Sequence, residues 1–103
     1  MFDENYSAHT ALADLHYLRA IGKVPEMESS KAMAKFIERF ISAGDSILDV
    51  GCSAGHYLFS LFKLLPDLEF SYTGIEAHDL FLEKAEKAWK NRNSVEFRKG
   101  SIF

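Results

Sequence analysis

The run ILDVGCSAGHY at residues 47–57 constrains this chain more than any other segment. A short apolar stretch passes straight into small residues, and these pass straight into a helical pattern. Residues 46–50, SILDV, are bounded by glycine-bearing turns, which suits a strand buried on both faces, as strands of parallel sheets are. Gly51 and Gly55, with Ser53 and Ala54 between them, let the chain turn tightly and bring a ligand close to main-chain N–H groups at a helix N-terminus. A ligand carboxylate or phosphate could sit there.

The rest of the chain alternates in the same manner. Residues 4–20 read as a helix with Ala11, Leu12, Leu15 and Leu18 on one side, stopped by Gly22 after a basic Arg19. After the connector KVPEMES, Ser29 or Ser30 is expected to cap a helix. Its apolar face would be Met33, Phe36, Ile37, Phe40 and Ile41, and Gly44 would end it. A helix from about Gly55 to Leu65 presents Leu58, Leu61, Phe62 and Leu65 before Pro66, and a strand is predicted over 70–76. The next helix runs from Asp79, a good N-cap, to about Asn91, with Phe81, Ala85 and Ala88 inward and Trp89 on the shoulder. Residues 95–97 form a third strand. This order predicts an α/β fold with a parallel sheet, right-handed crossovers and helices on both faces.

Composition sets bounds. With 103 residues, of which 48% are hydrophobic, one packed core is expected. The net charge of -3 is spread over mixed acids and bases, so no strong field favours nucleic acid or an anionic membrane. Lys84, Lys87, Lys90, Arg92, Arg98 and Lys99 read as a solvated helix face and strand flank. The start, MFDENYSAH, has acids where a signal peptide needs bases, and no stretch approaches the roughly 20 apolar residues of a membrane helix. Cys52 is the single cysteine, so no internal disulfide is possible and a cytoplasmic location is expected.

Spacing separates the candidate ligands. A dinucleotide fingerprint needs glycines at i, i+2 and i+5, whereas here they fall at i and i+4, with Ser53 at i+2 and His56 at i+5. A phosphate loop needs a lysine that this loop lacks. Binding of NAD or of a nucleoside triphosphate is therefore disfavoured. His9, His16 and His78 are too scattered in sequence to propose a metal site. Cys52 has no suitably placed base and reads as a small loop filler, and His56 reads as neutral and packed near the ligand.

What DVGCSAG does resemble is the first motif of class I S-adenosyl-L-methionine-dependent methyltransferases, an acid ending strand one followed by a glycine-rich loop. The resemblance continues to YTGIEAHD, where Glu76 lies 21 residues beyond Gly55, and to VEFRKGSIF at 95–103. It implies a Rossmann-like three-layer sandwich, incomplete, with about three parallel strands in the order 3-2-1 and an N-terminal helical extension. Residues 1–45 would hold that extension and the first sheet-packing helix, and 46–103 the first half of the cofactor domain. The resemblance implies S-adenosyl-L-methionine as cofactor. Asp49 would orient the loop and the methionine amino group, and Gly51, Ser53 and Gly55 would line the methionine moiety. Glu76 would hold both ribose hydroxyls, since a carboxylate accepts two donors at once. Ile75 and Ala77 would line the adenine face. Ser101 stands where the family commonly has an acid for the adenine amino group, and the Ile102 backbone N–H would serve a ring nitrogen.

The reaction so implied is methyl transfer to an acceptor that the residues leave open, with no catalytic base to name. Two rival readings are a non-catalytic Rossmann-like binding module and, less favoured, an NAD-dependent oxidoreductase. Tyr6, Tyr17 and Arg19 form either a lid over the pocket or, as favoured, part of an ordinary packing helix. In a sheet of order 3-2-1 strand one lies at an open edge. The chain is therefore expected to be an incomplete catalytic domain that self-associates through that edge, binds cofactor weakly and transfers no methyl group alone.

Overall fold

Seven elements alternate along the chain in a computed structural model that describes residues 4–101. In order they are α1 (Glu4–Ala20), α2 (Glu28–Glu38), β1 (Ser46–Val50), α3 (His56–Leu64), β2 (Ser71–Glu76), α4 (Asp79–Trp89) and β3 (Val95–Lys99). The strands form one parallel sheet in the order β1-β2-β3, as the alternation of helices and strands requires. Ile47 stands beside Tyr72 and Asp49 beside Gly74; across β2, Tyr72 stands beside Val95 and Gly74 beside Phe97.

That register sorts the side chains, because neighbours along a strand point to opposite faces. One face carries Ile47, Tyr72 and Phe97, and the helices pack on it through Leu58, Leu61 and Trp89. The other carries Leu48, Val50, Thr73 and Ile75, and there Leu48 is 65% and Val50 47% exposed. Among the described residues the expected helices on both faces are therefore realised on one face, and β1 is covered on one side and not on both.

The helices bury different stripes from those that periodicity favoured. Leu12, Leu15 and Leu18 of α1 face solvent, while Ala13 and Ala20 are buried with His16 and Tyr17 between them. The reason is steric. α1 lies against both α3 and α4, and small residues at a three-helix junction let the axes approach where leucines would hold them apart. Tyr17 is gripped from α4, with Lys84 and Lys87 at 5.6 and 5.0 Å from its ring centroid, and Asp14 pairs with Lys84 at 3.0 Å. In α2 the same logic buries Ser30 and Ala34 and leaves Met33 and Phe36 open, as is Phe40 just past its end. Trp89 belongs to the core, against Phe62, and not to the shoulder.

The helix starts also differ. α2 begins at Glu28 behind Met27, ahead of the serines, and α4 is capped by His78, whose ring accepts from the Leu80 amide at 3.2 Å. Asp79, freed from capping, pairs with Lys99 at 2.9 Å. No helix among the described residues is long and apolar enough to cross a membrane.

Leu48 and Val50 beside an unpaired strand edge make a surface suited to further strand addition. We expect the 103-residue chain, prepared alone, to show a mass in sedimentation that rises with concentration. Leu48→Lys with Val50→Lys should shift it to monomer; a monomeric unsubstituted chain would contradict this.

Candidate functional site

Three strands end together where their carbonyl ends meet the loop 51–55, and the loop takes its shape from three left-handed residues: Gly51 (φ 77°), Ser53 (φ 53°) and Gly55 (φ 79°). The two glycines adopt this conformation freely, whereas serine does so at a cost of about 1–2 kcal/mol. The loop amides are directed inward. Gly51 and Cys52 donate to the Ile75 carbonyl at 2.8 and 3.2 Å, and Gly55 donates to Cys52. Ser53 donates to Glu76 Oε1 at 2.8 Å, and from the other side His78 donates its amide to Oε2 at 2.9 Å. Glu76 is buried, yet each of its oxygens keeps a lone pair beyond these bonds. The loop is thus built around a carboxylate and does not form the anion cradle that a phosphate needs.

The other sequence-assigned residues fall into distinct environments. Asp49 accepts from the Tyr72 hydroxyl at 2.6 Å, on the helix-covered side of the sheet and not at the loop amides. Burial pushes its carboxyl above the ordinary range, with the Glu76 charge adding to the rise against the pull of the Tyr72 bond. Burial beside Asp49 and Glu76 pushes the Cys52 thiol up to about 12, so it stays protonated and packs as a filler. His56, buried at the start of α3 beside His16 and Arg19, is lowered to about 4 and is neutral, as its position at a helix start suggested. Ala77 and Ser101 are exposed. Ile75, expected beside Ala77, points to the sheet face opposite Glu76. Ile102 lies outside the described residues, as does the side chain of Tyr6; Tyr17 is held on α4 and forms no lid.

The two loop glycines are required for different reasons. A Cβ on Gly51 would meet nothing within 4 Å, so this stretch of backbone is open to close approach by a ligand. A Cβ on Gly55 would lie 2.7 Å from Trp89 Nε1 and 3.1 Å from Phe97 Cζ. The absence of a side chain on Gly55 thus serves the core beneath the loop.

One residue at the site escaped the sequence reading. His16 Nδ1 is 2.6 Å from Ser53 Oγ, and its ring lies 4.2 Å from that of His56. His9 approaches His78 at 5.2 Å on the same side. The signal was present in α1 as the spacing Ala13, His16, Tyr17, Ala20, a helical stripe of small and polar residues. The louder leucine stripe on the same helix concealed it. The described residues hold no group of three or more His, Cys, Asp or Glu side chains able to hold a metal ion.

Comparisons with known proteins bear on the family and the fold. Residues 41–103 match a family model described as a methyltransferase domain. Over 58 residues the chain is 38% identical to the carboxy-S-adenosyl-L-methionine synthase of Desulfotalea psychrophila, which covers 56% of this chain and 24% of that protein. A solved S-adenosyl-L-methionine-dependent methyltransferase from Thiobacillus denitrificans, in complex with S-adenosyl-L-homocysteine, superposes with a TM-score of 0.54. Its identity is 26%, over 75% of this chain and 31% of that one. A Methanococcus maripaludis protein superposes with a TM-score of 0.60 over 93% of this chain and 40% of that one; at 17% identity it speaks for the fold alone. The chain spans about a quarter of that curated relative and 31% and 40% of these solved structures.

Two outcomes follow from the loop. Gly55→Val should destabilise the fold by about 2–4 kcal/mol through overpacking and a forbidden φ, whereas Gly51→Ala should cost only about 1 kcal/mol from its backbone; chemical denaturation followed by circular dichroism measures both. The second outcome concerns pH. An unfolded imidazole takes up its proton near 6.5 and the folded His56 only near 4, so between those values the unfolded state binds more protons and stability falls as pH falls. Thermal midpoints should decline over that window, and His56→Asn should flatten the decline.

Proposed function

The chain belongs to the methyltransferase-domain family, and from that premise we propose that it binds S-adenosyl-L-methionine and supplies the cofactor half of a methyl-transfer site. The observation that carries this reading is Glu76, a buried carboxylate at the end of β2 fastened on both oxygens by backbone amides. Such a group is fixed in direction before any ligand arrives, which suits the acceptance of two vicinal hydroxyls. The residues present fit the cofactor. Gly51 leaves open backbone beside the loop, and Ala77 adds a small exposed surface next to Glu76. The inward loop amides also favour a ligand held by hydroxyls and close contact over one held by phosphates.

When bound, the cofactor supplies a methyl group already activated on a sulfonium. The chain's own share is then orientation: Glu76 fixes the ribose, the 51–55 loop lies along the methionine moiety, and the neutral His56 adds no repulsive charge beneath it. Asp49, Ser53, Gly55 and Ser101 complete the proposed cofactor set, with Asp49 acting through Tyr72 and the β1 end. Acceptor and transfer chemistry belong to the whole protein. A cytoplasmic setting suits this reading, in which Cys52 remains a buried, reduced thiol.

A second reading keeps the cofactor and changes the reaction. The relative from Desulfotalea psychrophila is named for making carboxy-S-adenosyl-L-methionine, so the bound cofactor would itself be the group modified. Product analysis by mass spectrometry distinguishes a methylated acceptor from a carboxylated cofactor.

Glu76→Gln replaces one acceptor by a donor that faces the His78 amide, so affinity and stability are to be measured together. We expect S-adenosyl-L-homocysteine to bind the variant about ten- to a hundred-fold more weakly by calorimetry, or about 1.5–3 kcal/mol. NAD should leave the thermal midpoint of the unsubstituted chain unmoved while S-adenosyl-L-methionine raises it. A folded Glu76→Gln variant with unchanged affinity would overturn the assignment.

A further inference from the structure

We propose that His16 is a positioning residue for the cofactor loop: carried on α1, it fastens the Ser53 hydroxyl and so holds residue 53 in the backbone conformation that turns its amide onto Glu76. The proposal rests on Glu76 as the ribose carboxylate, because it is through Glu76 that the latch would reach the ligand.

The geometry is specific. Ser53 stands at φ 53°, a left-handed conformation that glycine adopts freely and serine does not. Its amide bonds Glu76 Oε1 at 2.8 Å and its hydroxyl lies 2.6 Å from His16 Nδ1, so both polar groups of one strained residue are tied to elements far away in sequence. The imidazole is itself held on several sides. It lies 4.2 Å from the His56 ring of α3 and 6.1 Å from the Phe81 ring of α4. Burial and the neighbouring Arg19 keep it neutral, while Glu76 pulls the other way. A neutral imidazole is able to accept the hydroxyl proton at Nδ1.

Two consequences separate this role from mere packing. The latch matters only because residue 53 is not glycine, so a glycine there should abolish the dependence on His16. It also makes the seating of α1 part of the cofactor site, although α1 lies 37 residues away in sequence at the bond itself.

The test is a double-mutant cycle on the full chain, with S-adenosyl-L-homocysteine binding read by calorimetry at pH 7.5 and amide exchange at residue 53 read without ligand. His16→Ala should weaken binding about tenfold and speed exchange of the Ser53 amide by a similar factor. His16→Asn, whose amide lies near the Nδ1 position, should restore most of both. In a Ser53→Gly background, measured against the affinity of Ser53→Gly itself, His16→Ala should change affinity less than about twofold. Equal losses in the serine and glycine backgrounds would reduce His16 to a packing residue and overturn the proposal, as would unchanged exchange at residue 53 in His16→Ala. An unsubstituted chain that fails to bind S-adenosyl-L-homocysteine would sink the cofactor reading instead, and the exchange measurement would still decide the latch.

Discussion

A single buried carboxylate organises the end of the sheet at which a ligand would arrive. Glu76 closes β2, receives one amide from the loop after β1 and another from the turn before α4, and so joins the segments on either side of it. Removing a charge from water is costly unless its lone pairs are met, and two short amide bonds meet part of that cost. The remaining lone pairs define the chemistry on offer. They call for donors, and they repel phosphates and carboxylates.

Around that carboxylate the sheet imposes the rest by parity. In a parallel strand with period two, placing Glu76 on the helix-covered side also places Tyr72 and Gly74 there, and by register Asp49 and Phe97. The Asp49–Tyr72 bond and the closeness of Phe97 to Gly55 both follow from this parity. Leu48 and Val50 are sent to the other side by the same rule.

Much of this was legible in the sequence. The strand–loop–helix of residues 46–64 announced itself through an apolar run, two glycines and a proline, the strand over 70–76 was expected from its pattern, and Glu76 at its end was singled out by the resemblance. Helix faces were less legible. A leucine stripe signals burial only where a partner has room for leucine, and at the contact of α1 with α3 and α4 the room suits Ala13 and Ala20. Local pattern reports what a helix offers, whereas packing depends on what its neighbours can accept. The role of His16 was hidden for a related reason: its partner Ser53 is remote in sequence, and no periodicity encodes a pairing between distant elements. Gly55 was found in the sequence for a reason that the structure replaced, since glycine is needed wherever space is short and the sequence does not say on which side.

The closeness of Trp89 to that glycine has an optical consequence. Trp89 is the single tryptophan of the chain, buried beneath the loop with its indole where a side chain on residue 55 would begin. Its indole N–H has no hydrogen-bond partner among the described residues. Excitation of tryptophan therefore samples one environment, the floor of the 51–55 loop. Emission wavelength and quenching report directly whether that floor is dry, so the native chain carries its own reporter without a label.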